Sequence, residues 1–334
     1  MSVLLEGRDL AVRYRVSGGL LRSRWLTAVD GASLSLSSGG TLGVVGESGC
    51  GKSTLGRALI GLAPLAAGEL RWQGQRVDGL SARGWRRLRR ELQIVFQDPL
   101  GSLDPRMTVG QSVAEPLAVF EPSLSRAARR TRVGETLERV GLPAGAADRY
   151  PHEFSGGQCQ RIGIARAVIL KPRLVVCDEP VSALDVSVQG QVVNLLRELR
   201  DDLGLAYLFI SHNLAVVRHL STEVVVMYLG RVMESGPRDA IYGRPLHPYT
   251  RMLLDAVPVA DPQIERHRTR TLPSGELPSP LSPPDGCVFR TRCPLAEARC
   301  AERRPLLQEA APGHRIACHR WREWPTGLNT PPDR

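Results

Sequence analysis

The chain has 334 residues, 42% of them hydrophobic, and a net charge of +10. This length suits either one large domain with an appendage or two domains. No apolar stretch approaches the ~20 residues of a membrane span, and the acidic residues among the first nine argue against a signal peptide. We therefore expect a cytosolic protein, in which disulfides are disfavoured. The positive charge is almost entirely arginine with few interleaved aromatic side chains, which indicates solvated helix faces and predicts no nucleic-acid partner; contact with acidic lipid headgroups or with an acidic loop of a partner is the alternative.

The first hundred residues are predicted to be mostly β-structure. Partial alternation of apolar and polar residues indicates two long strands, and two shorter strands follow. A basic, glycine-containing stretch separates the long strands. The predicted elements are strands at 3–16, 27–36, 68–73 and 92–96, a loop or hairpin at 17–26 and a helix at 83–90.

Helices and strands alternate through the following 140 residues. Residues 109–140 are predicted to be mostly helical, and a further helix runs towards Leu170. The remaining predictions are strands at 174–177, 206–210 and 223–229, a helix at 186–203 and a hairpin return at 230–236. This alternation predicts an α/β fold with a parallel core sheet. After about residue 249 the composition changes, and residues 258–284 are interpreted as a Pro- and Ser-rich linker.

The strongest local motif is a glycine-rich turn between an apolar strand at 41–45 and a helical pattern from Leu55. This order is typical of a phosphate-binding loop, whose backbone N–H groups and helix N-terminus attract phosphate. Lys52 can reach the terminal phosphates, and the Ser53 hydroxyl can bind Mg²⁺. The predicted nucleotide-binding residues of the phosphate loop are Gly46, Glu47, Ser48, Gly49, Cys50, Gly51, Lys52, Ser53 and Thr54.

Two further motifs carry chemistry. Asp178 ends an apolar strand, as expected for a carboxylate that holds Mg²⁺, and Glu179 could orient or deprotonate the attacking water. The other motif, which we call the signature, places two glycines and a hydroxyl at a helix start and makes a second anion site. One nucleotide cannot use both helix starts at one end unless the second serves a neighbouring subunit's nucleotide. The signature residues are Ser155, Gly156, Gly157 and Gln158.

In this order the motifs resemble those of the ATP-binding subunits of ABC transporters, over roughly the first 245 residues. The C-terminal part resembles one branch, the peptide-importer ATPases of bacterial oligopeptide and dipeptide systems, and within it the second of the two ATPase subunits. The family motifs are residues 46–54, Gln97, 154–158, 174–179, 182–185 and His212, and the branch motifs are residues 244–250, 274–280 and the cysteine-bearing tail.

The resemblance implies a P-loop ATPase of ABC type, with a parallel core sheet, an antiparallel β-subdomain and a helical subdomain at about residues 100–170. The ATP-binding domain would span residues 1–249. Residues 250–334, which we call the C-terminal extension, would contain a four-cysteine segment at 287–318.

The resemblance also implies roles for individual residues. Glu179 would be the catalytic base, and His212 would contact the γ-phosphate and help to hold the attacking water. Gln97 would join Ser53 and Asp178 around Mg²⁺. Gln97 and the segment that follows it through residue 106 would sense the membrane subunits.

Two such domains would pack head to tail with two ATP molecules between them. The signature would clamp ATP on the opposite subunit, and Asp185 would link the two sites. Tyr14 is the predicted adenine-stacking residue, with Trp25 as the alternative. The chain departs from the family pattern at Phe154, Cys159 and Asn213, none of which is a catalytic group, so we predict a hydrolysis-competent ATPase.

Four of the 7 cysteines cluster in the tail. Their gaps are longer than those of a zinc knuckle and differ from those of the bacterial ferredoxin run. Four thiols in a segment too small for its own core suggest a metal clip, and the importers that the chain resembles carry a 4Fe–4S cluster on four tail cysteines. We expect a 4Fe–4S cluster; the alternatives are zinc, with His314 and His319 as fallback ligands, and unligated thiols. The expected ligands are Cys287, Cys293, Cys300 and Cys318.

The leading hypothesis is an ATPase that powers import of di- or oligopeptides, with nickel or another small solute as the alternative cargo. The resemblance implies a second ATPase subunit, a paralogue rather than a copy, together with two membrane permease subunits and an extracytoplasmic substrate-binding protein. The chain would lie peripherally on the cytoplasmic face of the bacterial inner membrane. A soluble ABC ATPase acting on DNA or ribosomes is disfavoured by the single phosphate loop, and an iron–sulfur sensor by Glu179 and His212.

Overall fold

The computed structural model describes residues 2–17, 23–257, 263, 266 and 275–323. As far as they are described, the residues form two compact units, each assembled from several stretches of chain. The first unit consists of Met1–Leu4, Leu36–Thr41 and Gly79–Ser211, and the second of Leu5–Ser35, Leu42–Asp78 and His212–Arg334. The predicted linker falls largely outside the described residues.

Strands and helices alternate along most of the described chain. The strands are β1 (Val3–Ser17), β2 (Ser23–Ser37), β3 (Thr41–Val45), β4 (Ala67–Trp72), β5 (Gln75–Arg76), β6 (Leu92–Val95), β7 (Leu174–Asp178), β8 (Ala206–Ile210), β9 (Glu223–Tyr228), β10 (Arg231–Pro237), β11 (Gln308–Ala311) and β12 (His314–Ile316). The α-helices are α1 (Lys52–Leu59), α2 (Ala82–Leu88), α3 (Val109–Phe120), α4 (Arg126–Arg139), α5 (Gly156–Val168), α6 (Val186–Leu203), α7 (Leu214–Leu220), α8 (Arg238–Gly243), α9 (Pro248–Asp255) and α10 (Ala298–Glu302). Short 3₁₀ helices lie at Ala144–Asp148 and Pro151–Glu153.

The second unit contains an antiparallel sheet of strand order β2-β1-β4-β5. Leu5 of β1 lies opposite Trp72 of β4, and the register shifts between Arg8 and Ala11. Strand β2 begins at Ser23, so the predicted loop at 17–26 was too long at its C-terminal end. Because the first three side chains of β2 are all exposed, this part of the strand lacks the alternation that predicts a half-buried strand.

The same unit holds a second set of strands, in the order β11-β12-β10-β9-β3. Strands β3 and β9 are parallel, with Val44 opposite Val225. The hairpin of β9 and β10 confirms the predicted return, and β12 pairs antiparallel with β10, placing Ile316 opposite Glu234. The C-terminal extension therefore adds two strands to this sheet.

The first unit contains the parallel strands β6, β7 and β8. Leu92 lies opposite Leu174, and Val176 opposite Leu208. All residues of β7 and β8 are buried, which explains their continuous apolar sequence. Helices α3, α4 and α5 pack together in the same unit. The parallel core, the antiparallel sheet and the helical region confirm the predicted α/β fold class, whereas the predicted domain boundaries stay predictions.

Within the part of the chain that the structure describes, no helix combines the length and the apolar character needed to cross a bilayer.

A buried polar network joins β10, β12 and the start of α9. The Glu234 carboxylate, which is 0% exposed, accepts hydrogen bonds from the backbone N–H groups of Leu246 at 2.7 Å and His247 at 3.0 Å. It also forms a hydrogen bond with His314 Nε2 at 2.7 Å. His247 Nδ1 accepts the Tyr249 N–H at 3.0 Å, and burial lowers the pKa of His247 to about 4. The His247 ring is therefore neutral in the folded protein at neutral pH.

We expect the free energy of unfolding to decrease as the pH falls from about 6.5 to about 4, because the unfolded chain protonates His247 in this range and the folded chain does not. The slope from this group is at most about 1.4 kcal/mol per pH unit. Urea denaturation at pH 7, 6 and 5 measures it. His247→Asn keeps a cap acceptor for the Tyr249 N–H and removes the titrating ring, so the slope should flatten. The exposed-histidine control His219→Asn should keep the slope, and an unchanged slope in His247→Asn would contradict the assignment.

Candidate functional site

The phosphate loop connects the fully buried β3 to α1 in the second unit. Its glycines have positive φ angles of 151° at Gly46, 77° at Gly49 and 102° at Gly51, which L-residues with a side chain rarely adopt. A Cβ on Gly46 would lie 2.2 Å from the carbonyl oxygen of Met227 in β9. Backbone conformation thus favours glycine at all three positions, and close packing requires it at Gly46 as well. The loop delivers the chain into the N-terminus of α1, where the helix dipole favours an anion.

Lys52 is the first residue of α1 and is 4% exposed. Its Nζ donates hydrogen bonds to the carbonyl oxygens of Gly46 at 2.8 Å and Glu47 at 2.9 Å. The ammonium group is therefore held beneath the loop, while Ser48 and Gly49 at its tip are exposed to solvent. A buried lysine, a glycine-rich cradle and a helix N-terminus fit a phosphate chain such as that of ATP.

In the first unit the structure brings Gln97 and Glu179 together. Gln97 lies two residues beyond β6 and donates from Nε2 to Glu179 Oε2 at 3.1 Å. Glu179 follows β7 directly and has a φ of 48°, an unusual value for a residue other than glycine. Its backbone N–H donates to the Ile210 carbonyl at 3.0 Å, which anchors this strained position to the adjacent strand β8. Asp178, the last residue of β7, is 1% exposed.

The signature forms the N-terminus of α5. Ser155 Oγ accepts the Gln158 N–H at 3.4 Å, and Gln158 Oε1 accepts the Ser155 N–H at 3.0 Å, a reciprocal capping box. Ser155, Gly156 and Gln158 are exposed, so this helix start faces solvent. A Cβ on Gly157 would lie 2.6 Å from Val188 Cγ1. Glycine is therefore needed at this position because α5 packs closely against α6 there. Cys159 is buried, 1% exposed, and burial raises its pKa.

Asp185 and the segment after Gln97 also present exposed groups in the first unit. Asp185 is the N-cap residue of α6 but makes no side-chain cap hydrogen bond, and the neighbouring Val186 is 84% exposed. Leu100, in the segment after Gln97, is 54% exposed. Arg166 of α5 fixes this segment by donating from Nη1 to the Ser102 carbonyl at 2.6 Å.

The second unit contains the other predicted site residues. His212 is exposed at the start of the stretch that leads into α7, and Asn213 rather than His212 caps that helix, accepting the N–H groups of Ala215 and Val216. Tyr14 is half-buried on β1, and Trp25 is 64% exposed on β2. The choice of adenine-stacking residue stays a prediction.

The predicted 4Fe–4S cluster is wrong, and the same finding overturns the zinc alternative. Among the described residues, no group of three or more His, Cys, Asp or Glu side chains is arranged to hold a metal ion. The four tail cysteines instead line a cavity of about 20 Å³ beside Phe289 and Leu295. Burial raises the pKa of Cys287 to about 11 and of Cys318 to about 12. The proposed fallback ligand His314 is paired with Glu234, and His319 Nε2 lies 2.9 Å from the Arg303 carbonyl.

Arg292 and Tyr249 contact the phosphate loop, and neither contact was predicted from the sequence. Arg292 Nη1 lies 2.7 Å from Glu47 Oε2, and the Tyr249 hydroxyl lies 2.9 Å from the Glu47 backbone nitrogen. Tyr249 belongs to the branch motif at 244–250, but no local pattern marks Arg292, which lies 245 positions after Glu47.

The comparisons with known proteins agree with this site. The ABC transporter family matches residues 29–182, and the family of the oligopeptide/dipeptide transporter C-terminal region matches residues 233–300. The chain is 54% identical over 323 residues to the oligopeptide transport ATP-binding protein OppF of Escherichia coli (strain K12), covering 95% of this chain and 96% of that protein. It is 50% identical over 320 residues to the di/tripeptide transport ATP-binding protein DppF of Pseudomonas aeruginosa (strain UCBPP-PA14), covering 96% of this chain and 98% of that protein.

The fold is also similar to that of solved structures. The ATP-binding cassette MJ0796, in a dimeric post-hydrolysis state bound to ADP and Pi, superposes with a TM-score of 0.64 at 25% identity, covering 70% of this chain and 99% of that one. Three findings point to the same family: sequence relatives that match over nearly their whole length, a family match that includes the phosphate loop, and a shared fold. This chain belongs to the ATP-binding proteins of the ABC transporter family.

Proposed function

We propose that this chain is the ATP-hydrolysing subunit that powers a bacterial importer of di- or oligopeptides. The observation that carries the proposal is the near full-length similarity to peptide-transport ATP-binding proteins, including the C-terminal region that matches residues 233–300. The phosphate loop with its buried Lys52 supports the ATP-binding part of the proposal.

In the proposed mechanism, Lys52 and the loop amides bind the phosphates of ATP. Glu179 accepts a proton from the attacking water, and Gln97 holds the Glu179 carboxylate in place through the hydrogen bond at 3.1 Å. His212 contacts the γ-phosphate and helps to orient the water. The strained backbone at Glu179 suits such a role, because strained residues cluster at functional sites.

The protein groups assigned to Mg²⁺ are the Ser53 hydroxyl, the Gln97 amide oxygen and the Asp178 carboxylate. All three are hard oxygen donors, the class that Mg²⁺ prefers, and Asp178 is a buried carboxylate at a strand end. When bound, the ion would neutralise charge on the phosphate oxygens.

The proposed assembly contains a second ATPase subunit, a paralogue of this chain, with two membrane permease subunits and an extracytoplasmic substrate-binding protein. The chain would lie on the cytoplasmic face of the inner membrane. The exposed signature and the exposed Asp185 support a contact outside this chain, since both lie at helix N-termini that face solvent. The exposed Leu100 supports a second contact, with the membrane subunits.

Peptide uptake tests the proposal directly. A bacterial strain that lacks this chain should fail to take up a labelled tripeptide, and the intact chain should restore uptake. Affinity purification of the tagged chain from detergent-solubilised membranes should recover two permease subunits and a second ATPase. Normal peptide uptake in the strain without the chain, with no paralogous system induced, would refute the importer role.

Ser155→Arg tests whether the signature acts on a partner's nucleotide. The substitution places a long cation at the exposed N-terminus of α5, where it opposes the helix dipole and blocks anion binding. We expect this chain to bind ATP with unchanged affinity, while ATP hydrolysis by the complete transporter falls at least about tenfold, the loss that follows from about 1.4 kcal/mol. Ser125→Arg makes the same change at the N-cap of α4 and should leave hydrolysis unchanged. Equal losses in the two variants would contradict the assignment.

A further inference from the structure

Two residues outside the nucleotide motifs hold Glu47, the second residue of the phosphate loop. Arg292 of the four-cysteine segment donates from Nη1 to Glu47 Oε2 at 2.7 Å and from Nη2 to Glu47 Oε1 at 3.0 Å. The Tyr249 hydroxyl accepts the Glu47 backbone N–H at 2.9 Å. The side chain and the backbone of one loop residue are thus both fixed by the C-terminal part of the chain.

The surroundings of Arg292 fix its orientation. Arg292 is 6% exposed, and its Nη1 also lies 3.4 Å from the Tyr228 hydroxyl. The Tyr228 ring packs edge-on against Tyr249, with ring centres 4.8 Å apart, and against Phe289, with ring centres 5.3 Å apart. The carboxylate of Glu47 raises the pKa of Arg292, so the guanidinium is always charged. A two-pronged guanidinium–carboxylate pair in such a setting is directional, and a lysine reproduces only its charge.

Glu47 is also one of two loop residues whose carbonyl oxygens hold the phosphate-binding lysine. Lys52 Nζ donates to the Glu47 carbonyl oxygen at 2.9 Å. Gly46 and Gly49, on either side of Glu47, give the loop backbone conformational freedom. Fixing Glu47 therefore restricts the backbone conformation of the loop at the carbonyl group that accepts the Lys52 hydrogen bond.

We propose that Arg292 is a positioning residue that couples the C-terminal extension to the ATP site. By holding Glu47, Arg292 keeps the phosphate loop in the geometry that binds ATP, so ATP affinity depends on the docked extension. This inference rests on the proposed role of the phosphate loop in binding ATP.

Other contacts keep the extension in place without Arg292. Arg304 donates from Nη1 to Asp30 Oδ2 at 3.0 Å and from Nη2 to the Asp30 carbonyl at 2.8 Å. His314 pairs with the buried Glu234, and β12 pairs with β10. Loss of Arg292 should therefore release the phosphate loop without undocking the extension.

The test is ATP affinity of the full-length chain, measured with a fluorescent ATP analogue, together with kcat and KM of the assembled transporter. We expect Arg292→Met to weaken ATP binding at least about fivefold and to raise KM more than it lowers kcat, because a charge-assisted pair that orders the loop is lost. Arg292→Lys should restore only part of the affinity. Arg304→Met, the matched control, removes an arginine of the same extension that does not touch the loop, and should change affinity less than twofold.

The double variant Arg292→Met with Glu47→Gln removes both charges, leaves neither buried alone and should still bind ATP weakly. If Arg292→Met alone does not fold, the ATP affinity of the double variant tests the inference instead. ATP affinity within twofold of the unmodified chain in Arg292→Met or in the double variant would overturn the inference. Equal losses in Arg292→Met and Arg304→Met would also overturn it, because Arg304 does not touch the loop and the effect would then not come from the contact of Arg292 with Glu47. Failure of the ATP-binding role itself is distinguishable, since Lys52→Ala would then bind ATP normally.

Discussion

Glu179→Gln should reduce ATP hydrolysis by about two to four orders of magnitude, the range that a general base contributes. Glutamine keeps the shape of the side chain and an oxygen that can accept the Gln97 hydrogen bond seen at 3.1 Å, so the fold and the ATP affinity should be retained. The variant should therefore accumulate as an ATP-bound dimer with its partner, and peptide uptake should stop. Phosphate release, size-exclusion chromatography with ATP, and uptake of labelled peptide measure the three effects.

The matched control is Glu198→Gln, which removes an exposed carboxylate from α6 in the same unit. It should hydrolyse ATP at the normal rate. Normal uptake with Glu179→Gln as the sole copy of the chain would rule out Glu179 as the base.

Gly51→Ala should abolish detectable nucleotide binding at micromolar ATP. A Cβ at this position would lie 2.1 Å from the backbone carbonyl oxygen of Ala28, and the φ of 102° is unfavourable for alanine. Because neither a side chain nor a rotamer change can relieve a clash with backbone, the phosphate loop or β2 must move. Equilibrium binding of a fluorescent ATP analogue and thermal denaturation measure the effect.

Gly49→Ala separates the clash from the backbone conformation. Gly49 also has a positive φ, 77°, but a Cβ there would meet no atom within 4 Å. The variant should therefore show only the conformational cost of about 1–2 kcal/mol, roughly a five- to thirtyfold loss of affinity at most. If Gly49→Ala and Gly51→Ala weaken binding to the same extent, steric packing against Ala28 is not the cause.

Local sequence signals predicted most of the fold and the phosphate loop, whereas the roles of the individual site residues stay predictions. The phosphate loop follows from its glycines between a buried strand and a helix, and β7 and β8 follow from continuous apolar runs. The signature was predicted from two glycines and the Ser155 hydroxyl at a helix start, and the structure places them at the N-terminus of α5. In each case the determining interactions are close in sequence.

The features that the sequence did not predict depend on interactions between residues that are distant in sequence. The Arg292–Glu47 pair joins positions 245 apart, and the pairing of β12 with β10 joins residues about 80 apart, as in Glu234 with Ile316. The metal prediction failed because cysteine spacing does not reveal how the thiols are arranged in space, and the described residues contain no group of three or more side chains arranged to hold a metal ion.

The added strands β11 and β12 have a consequence for solubility. Strand β10 has seven residues, and without β12 its outer row of backbone N–H and C=O groups would be a template for pairing between chains. The extension covers that edge around Glu234 and Ser235 and ends the sheet with β11, which has four residues and carries Glu309. Short, charged edges resist intermolecular pairing. A chain that ends before residue 308 should therefore be more prone to form β-rich aggregates.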